Sequence, residues 1–278
     1  MKQLFGLNKF ILFLLSVVSF SSCQKVVNID LNSSAPQIVI EGEVSDQPGP
    51  YTVVLTKTVN YDQSNTFPPV QGASVTINDD AGNSELLTEA SPGVYKTLNL
   101  QGVVGRTYTL NVVADNKDYQ AVSKLNSPVN IDTLVAENAS GFGGGGGGGG
   151  NSGPKSKVVI AKFTDPIGVV NYYRFMESIN GITTTSINIT SDNLRDGTLI
   201  EQRLRTNSDV KILPFDSVSI QLRSIDFGVF EYFRTFNRTG GGAFNSSTPA
   251  NPSSNISNGA LGYFSAYSVK SKSIVIQY

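Results

Sequence analysis

The segment Ser217-Val218-Ser219-Ile220-Gln221-Leu222-Arg223 decides the fold class, because polar and apolar side chains alternate through all of it. A period of two places each set of side chains on one face of a sheet, so the segment is predicted to be a half-buried strand. Shorter strand-like segments recur between turn residues at 37–42, 51–56, 74–77, 107–113, 157–163 and 172–179. Many short strands with frequent turns predict an all-β chain.

Two β domains are predicted, with the boundary near Ser127-Pro128. Residues 37–127 carry about seven short strands, the pattern of an immunoglobulin-like β-sandwich. Residues 128–278 are predicted to form a second, mainly antiparallel β domain with one short helix.

The helix of the second domain is predicted to begin after Asp226, which is a suitable N-cap residue. Val229, Phe233 and Phe236 follow at a spacing that places them on one helical face, and they are interpreted as core residues. Two last strands, 263–269 and 273–277, are predicted to close the chain.

The N-terminal segment has the layout of a bacterial lipoprotein signal, residues 1–22. Lys2 and Lys9 are followed by an apolar run at 10–18 that is too short to span a bilayer, and small residues lead into Cys23. We expect cleavage before Cys23, acylation of its thiol, and a lipidated tether over residues 23–36. The alternative is an ordinary signal peptide followed by a free thiol.

The composition excludes several classes of function. The chain has no histidine, so Ser-His-Asp triads and His-ligated metal sites are excluded. It also has one cysteine and no tryptophan. With 21 basic and 22 acidic residues, the formal net charge of −1 gives no footprint for nucleic acid. We expect a protein that is not an enzyme and that uses no cofactor and no metal.

A glycine-rich segment, 140–154, interrupts the second domain, with glycine at every position from 143 to 150. Such a segment is predicted to be disordered. We interpret it as an expanded loop between paired strands at 131–135 and 157–163, and the alternative is a linker between domains. A phosphate-binding loop would need Lys-Ser/Thr and a helix directly after the glycines, which residues 151–154 do not supply.

Acidic residues occur in two turn-rich groups that could offer oxygen atoms to calcium. One contains Asp79, Asp80, Asn83 and Glu85, and the other contains Asp192, Asn193 and Asp196. Neither has EF-hand spacing, and turns favour Asp and Asn for their own backbone reasons. Pairs of carboxylates suited to glycoside hydrolysis cannot be recognised from sequence spacing.

A long polar loop, residues 238–259, is the candidate binding loop. Loops of this length in compact domains are often functional. Phe244, Asn245, Asn251 and Asn255 are its candidate binding residues, and the alternative is a solvated connector.

Two resemblances add to this interpretation. The segments 69–75, 92–95 and 108–110 resemble prealbumin-like and carboxypeptidase-regulatory-like modules, which are small, non-catalytic β-sandwiches. The segments 23–30, 46–51, 165–174 and 249–264 together resemble a family of Bacteroidetes-type lipoproteins known only as a domain of unknown function.

Members of that family are encoded beside TonB-dependent outer-membrane receptors. The resemblance therefore implies a non-catalytic outer-membrane lipoprotein that assists such a receptor in ligand binding or nutrient uptake. It implies no catalytic residues, and the ligand is unknown. The alternatives are a carboxylate-based surface hydrolase and a structural or adhesive surface protein.

Overall fold

The alternating strand at 217–223 lies near the centre of the largest sheet. The computed structural model describes residues 35–60, 66–139, 156–207, 210–239 and 251–277, with the side chains of 238 and 239 excepted. The strands of the first half are β1 Ile38–Ser45, β2 Thr52–Lys57, β3 Ser74–Asp79, β4 Ser84–Leu86, β5 Thr88–Ser91, β6 Val94–Lys96, β7 Thr107–Ala114 and β8 Lys117–Lys124.

The second half contributes eight more strands and a helix. These are β9 Thr133–Asn138, β10 Lys157–Thr164, β11 Tyr172–Ile179, β12 Ile182–Thr183, β13 Asn188–Ser191, β14 Leu199–Arg203, β15 Ser217–Ile225, helix α1 Phe227–Thr239 and β16 Leu261–Val275. The prediction of an all-β chain with one short helix is confirmed.

The first half is a β-sandwich. Strands β1, β2, β6 and β5 belong to the nine-stranded sheet, and β4-β3-β7-β8 form a second sheet. Apolar side chains at alternate positions of both sheets form one buried core, including Ile40, Leu55, Ile77 and Leu110. Alternation along the strands therefore places one face of each sheet in this core.

A second core lies between β11 and β15 on one side and the three-stranded sheet β14-β10-β9 on the other. The alternate residues Val218, Ile220 and Leu222 of β15 are fully buried in it. The antiparallel pairing of β9 with β10 agrees with the interpretation that the strands flanking the glycine-rich segment are partners. That segment, 140–154, lies outside the described residues.

Strand β16 connects the two halves. It pairs in parallel with β1 and antiparallel with β15, and it contributes Phe264 and Ala266 to the sandwich core. The two cores divide close to residue 127, but this strand borders both of them, and Pro36–Tyr278 forms one compact unit.

The prediction of two separate closing strands is wrong. Residues 261–275 form a single strand, because the backbones of the exposed residues Lys270 and Lys272 stay paired with Leu222 and Ile220 of β15. The polar side chains at 270–273 do not interrupt the strand, because strand pairing depends on backbone hydrogen bonds.

Helix α1 covers the outer face of the large sheet near β11 and β16. Val229 and Phe233 are buried as predicted, in a cluster with Ile225 and Tyr267. Phe236, one turn later, is 44% exposed and contacts Tyr232 instead. The predicted apolar face is therefore buried only at the N-terminal half of the helix.

Candidate docking site at the β10–β11 and β13–β14 loops

The candidate site is built from two loops that the fold brings together, residues 165–171 between β10 and β11 and residues 192–198 between β13 and β14. Hydrogen bonds join them. The amide of Gly168 donates to Asp196 Oδ1 at 2.8 Å, and the amide of Asn171 donates to Asp192 Oδ2 at 2.8 Å. In the opposite sense, the amide of Gly197 donates to Asp165 Oδ2 at 3.3 Å. Carboxylates on one loop therefore fix the backbone of the other.

Three carboxylates meet at this junction. One oxygen of each of Asp165, Asp192 and Asp196 lies within 4.8 Å of the others, with the first two buried and the third exposed. Arg195 is close in sequence, but its Nη2 donates to Thr190 Oγ1 and the carbonyl of Ser191. Within the described ranges, no ion pair neutralises the three carboxylates.

A buried tyrosine lies beside the three carboxylates. The hydroxyl of Tyr173 donates to Asp165 Oδ1 at 2.5 Å. Burial raises the pKa of Tyr173, and the hydrogen bond to Asp165 and the charges of Asp165 and Asp192 raise it further. The tyrosine therefore stays a neutral donor that holds the most buried carboxylate in place.

Oxygen atoms of these three aspartates are the kind of ligand that hard cations such as calcium prefer. Two of them belong to the second calcium candidate from the sequence, and folding adds Asp165 in place of Asn193. Each carboxylate already accepts at least one hydrogen bond from a loop amide, so the group also has a clear structural use. The expectation of no metal is untested by this geometry.

The two loops that carry the carboxylates, and the start of α1, also carry exposed apolar side chains. Ile167, Val169 and Val170 extend from the first loop, Leu194 from the second, and Phe227 from the start of α1; we call these five residues the apolar rim. Leu194 is 99% exposed and has a φ of +62°, a conformation that leucine rarely adopts. Apolar residues grouped on a surface in this way are typical of interaction sites.

Four of the rim residues and two of the carboxylates line a cavity of about 610 Å³. Val169, Val170, Leu194 and Phe227 line it together with Asp192 and Asp196. One wall is aromatic, because the ring of Tyr172 lies 5.5 Å from that of Phe227 and 5.0 Å from that of Phe230. The cavity therefore combines an acidic floor with an apolar entrance.

Asp226 fixes the position of the helix that supplies this wall. Its Oδ1 accepts from the amide of Val229 at 2.9 Å, which confirms the predicted N-cap. Its Oδ2 accepts from the hydroxyl of Ser123 and from the amide of Lys124 at 3.3 Å, so the helix start is tied to β8. Burial raises the pKa of Asp226, although these hydrogen bonds oppose the change.

The first calcium candidate from the sequence is a turn whose central carboxylate, Asp79, already has protein partners. Asp79 accepts from the amides of Ala81 and Asn83 and pairs with Arg106 Nη1 at 2.5 Å. Burial alone would raise the pKa of Asp79, but hydrogen bonds from Asn83, Arg106 and Ala81 outweigh it and lower the pKa. Glu85 accepts from the amides of 98–100 instead of joining Asp79.

The predicted binding residues of loop 238–259 divide into two groups. Phe244 and Asn245, like Cys23, lie outside the described residues. Asn251 is exposed, whereas Asn255 is half-buried and binds the backbone of Phe264 through both side-chain atoms, at 2.8 and 3.0 Å. Asn255 thus braces β16, and partner binding by this loop stays a prediction.

The apolar rim was missed in the sequence. Its available signal was apolar residues in segments that otherwise have turn composition, such as Leu194 between Asn193 and Arg195. No sequence pattern links residues 165–171 to residues 192–198. Only the fold shows that Val169, Val170 and Leu194 line one cavity.

The profile described as "Domain of unknown function (DUF4249)" matches residues 24–273. The chain belongs to the DUF4249 family. The resemblance to a domain of unknown function is thereby confirmed for nearly the whole of this DUF4249 chain.

No curated protein matches the DUF4249 chain. Among solved structures, a segment of two fibronectin type-III domains from chicken tenascin is similar at 15% sequence identity. The match covers 69% of this chain and 91% of that one, with a TM-score of 0.20. In the described part of the DUF4249 chain, no helix is long and apolar enough to cross a membrane.

Proposed function

We propose that this chain is a non-catalytic outer-membrane lipoprotein that docks onto a TonB-dependent receptor and assists ligand binding or nutrient uptake. In this proposal the acyl chains on Cys23 hold the protein at the membrane, and the apolar rim contacts the receptor. Neither a cofactor nor nucleic acid takes part. The observation that carries the proposal is the exposed rim around an acidic cavity.

The rim favours a protein partner over solvent. Burying an exposed leucine or valine side chain in an interface contributes about 1.5–3 kcal/mol. Leu194 and Val170 are 99% and 71% exposed, so nearly all of this contribution is available to a partner. Exposed apolar residues grouped on a surface are typical of protein interaction sites.

The acidic floor selects the chemistry of the partner. Asp192 and Asp196 line the cavity, and no cation neutralises them within the described ranges. A receptor segment with a basic side chain flanked by apolar residues would match both the floor and the rim. Charge complementarity of this kind contributes more to specificity than to affinity.

The test is affinity isolation of the native lipoprotein from detergent-solubilised outer membranes, followed by mass spectrometry. The wild type should recover a TonB-dependent receptor, and the double variant Val170→Ser/Leu194→Ser should recover at least about tenfold less. A matched control, Leu98→Ser/Ile182→Ser, removes two residues that are 75% and 76% exposed elsewhere and should leave recovery unchanged. Recovery of the lipoprotein alone or only with copies of itself would favour the structural or adhesive alternative.

A carboxylate-based surface hydrolase is the second candidate, because three carboxylates lie close together and two of them, Asp192 and Asp196, line a cavity. Their oxygens approach within 4.8 Å, closer than the ~5–5.5 Å that separates the pair in retaining glycosidases, and loop amides already bind them. Release of reducing sugar from surface glycans by the wild type, and its loss in Asp192→Asn, would favour this candidate over docking.

A further inference from the structure

A second cavity, of about 770 Å³, lies beside the β9–β10–β14 sheet and is lined by four cationic side chains. They are Lys157 at the start of β10, Arg203 at the end of β14, and Arg205 and Lys211 in the segment that follows. The carboxylate trio of the docking site lies outside the residues that line this cavity.

The positive charge in this cavity is largely uncompensated. Glu137 Oε2 lies 3.2 Å from Arg203 Nη1, and this is the ion pair that the four cations make within the described ranges. Elsewhere, Lys57, Lys162 and Arg234 each have a carboxylate partner within 4.0 Å. Several like charges in one concave site raise the local concentration of ions of opposite charge. An anion is therefore the ligand that this cavity favours.

The backbone that carries these cations is fixed. The side chain of Asn188, which is 4% exposed, accepts from the amide of Arg205 at 2.7 Å and donates to its carbonyl at 2.9 Å. The amide of Lys157 donates to the carbonyl of Ile212 at 2.8 Å, which holds the two cation-bearing segments together. A backbone that is already fixed loses less conformational entropy when its side chains bind an anion than a mobile backbone does.

The other residues that line the cavity, together with the number of cations, indicate which class of anion it favours. Val158 and Val210 provide apolar surface. Thr206 and Asn207 also line the cavity, although both side chains already make hydrogen bonds within the protein. An arginine guanidinium matches two oxygens of one phosphate group, and a phosphate monoester carries up to two negative charges. Lys157, Arg205 and Lys211, which have no carboxylate partner among the described residues, suit such a dianion better than a single carboxylate.

We propose that this cavity binds a phosphate-bearing ligand whose apolar part lies against Val158 and Val210, with Lys157, Arg205 and Lys211 on the phosphate. This inference stands apart from receptor docking. The phosphate could belong to a lipid headgroup or to a soluble phosphate compound, and the two arms of the experiment distinguish these sources.

The test uses the full mature chain in a non-ionic detergent at low ionic strength. Isothermal titration with inorganic pyrophosphate measures soluble phosphate binding. Titration with mixed micelles that contain phosphatidic acid, against micelles with phosphatidylcholine, measures lipid phosphate binding. The variants are Arg205→Gln and the triple Lys157→Gln/Arg205→Gln/Lys211→Gln, and the control triple is Lys96→Gln/Lys117→Gln/Lys270→Gln on exposed strand positions.

The wild type and the control triple should bind pyrophosphate, phosphatidic acid or both with equal affinity. Arg205→Gln should bind about tenfold more weakly, and the cavity triple about a hundredfold or more. Binding confined to the phosphatidic acid arm assigns a lipid ligand, and binding confined to pyrophosphate assigns a soluble one. Absence of binding in both arms, or equal weakening in the two triples, would overturn the proposal. The single variant keeps the test decisive if the cavity triple does not fold.

Discussion

Replacing Asp226 tests how the docking site is held in place, because this residue caps α1 and ties it to β8. Asp226→Ala removes the acceptor of the Val229 amide and leaves the hydroxyl of Ser123, which is 1% exposed, without its carboxylate partner. Loss of an N-cap costs about 1 kcal/mol. The hydroxyl of Ser123 still accepts from the amide of Ala266, but its buried O–H donor loses its acceptor, which costs about 1–3 kcal/mol. Relief of carboxylate burial offsets part of this. We expect the free energy of unfolding to fall by about 2–3 kcal/mol.

The conservative variant Asp226→Asn separates the cap from the charge. The asparagine oxygen can still accept from the Val229 amide, so its loss at neutral pH should be about 1 kcal/mol or less. Burial raises the pKa of Asp226 in the folded state above the unfolded value of about 3.9. Protonation of the Asp226 carboxyl therefore stabilises the folded state. This contribution is fully present below pH ~3.9 and is lost as pH rises through the folded-state pKa.

Urea unfolding of wild type, Asp226→Ala and Asp226→Asn at pH 7 and near pH 4 checks both expectations. The stability of the wild type relative to Asp226→Asn should increase as the pH falls. A difference that stays constant or decreases would refute the assignment of a burial-raised pKa. Equal losses in the alanine and asparagine variants at pH 7 would refute the capping argument.

Three further changes test other parts of the structure. Gly262→Ala should destabilise the fold by about 3 kcal/mol or more, measured by urea unfolding, because its φ is +94° and an added Cβ would lie 2.0 Å from the carbonyl oxygen of Ile40. Glu177→Gln should raise the free energy of unfolding by about 1 kcal/mol at pH 7, because burial raises the pKa of this carboxyl and its Oε1 has no hydrogen-bond partner. The difference in the free energy of unfolding between Glu177→Gln and the wild type should shrink towards pH 4, because protonation of Glu177 then stabilises the wild type as well. Cys23→Ser should abolish incorporation of a fatty-acid label, and a wild type that takes up no label would contradict lipidation.

Local patterns predicted the elements of the fold well. Alternation identified β15, and Asp226 with the apolar spacing after it identified α1. The Asn180-Gly181 turn connects β11 to β12 with φ values of +50° and +83°, which this pair of residue types adopts readily. Each of these features depends on neighbours within a few residues along the chain.

Long-range arrangements could not be predicted in this way. The parallel pairing of β1 with β16 joins Ile40 to Gly262, and no local pattern marks two segments so far apart as partners. The docking site has the same origin, since Asp165 meets Asp192 and Asp196 only after β11, β13 and β14 have assembled. Two of these aspartates were noted in the sequence as turn residues, and their partner and the apolar rim came from the fold.

We infer that the apolar rim contacts a TonB-dependent receptor, and photocrosslinking in living cells of the native host tests this contact most directly. A photoreactive phenylalanine analogue takes the place of Leu194, which is 99% exposed in the rim, or of Ile182, which is 76% exposed outside it. We predict a receptor adduct from position 194 and none from position 182. Adducts of equal yield from both positions, or only adducts between copies of this chain, would contradict contact between the apolar rim and the receptor.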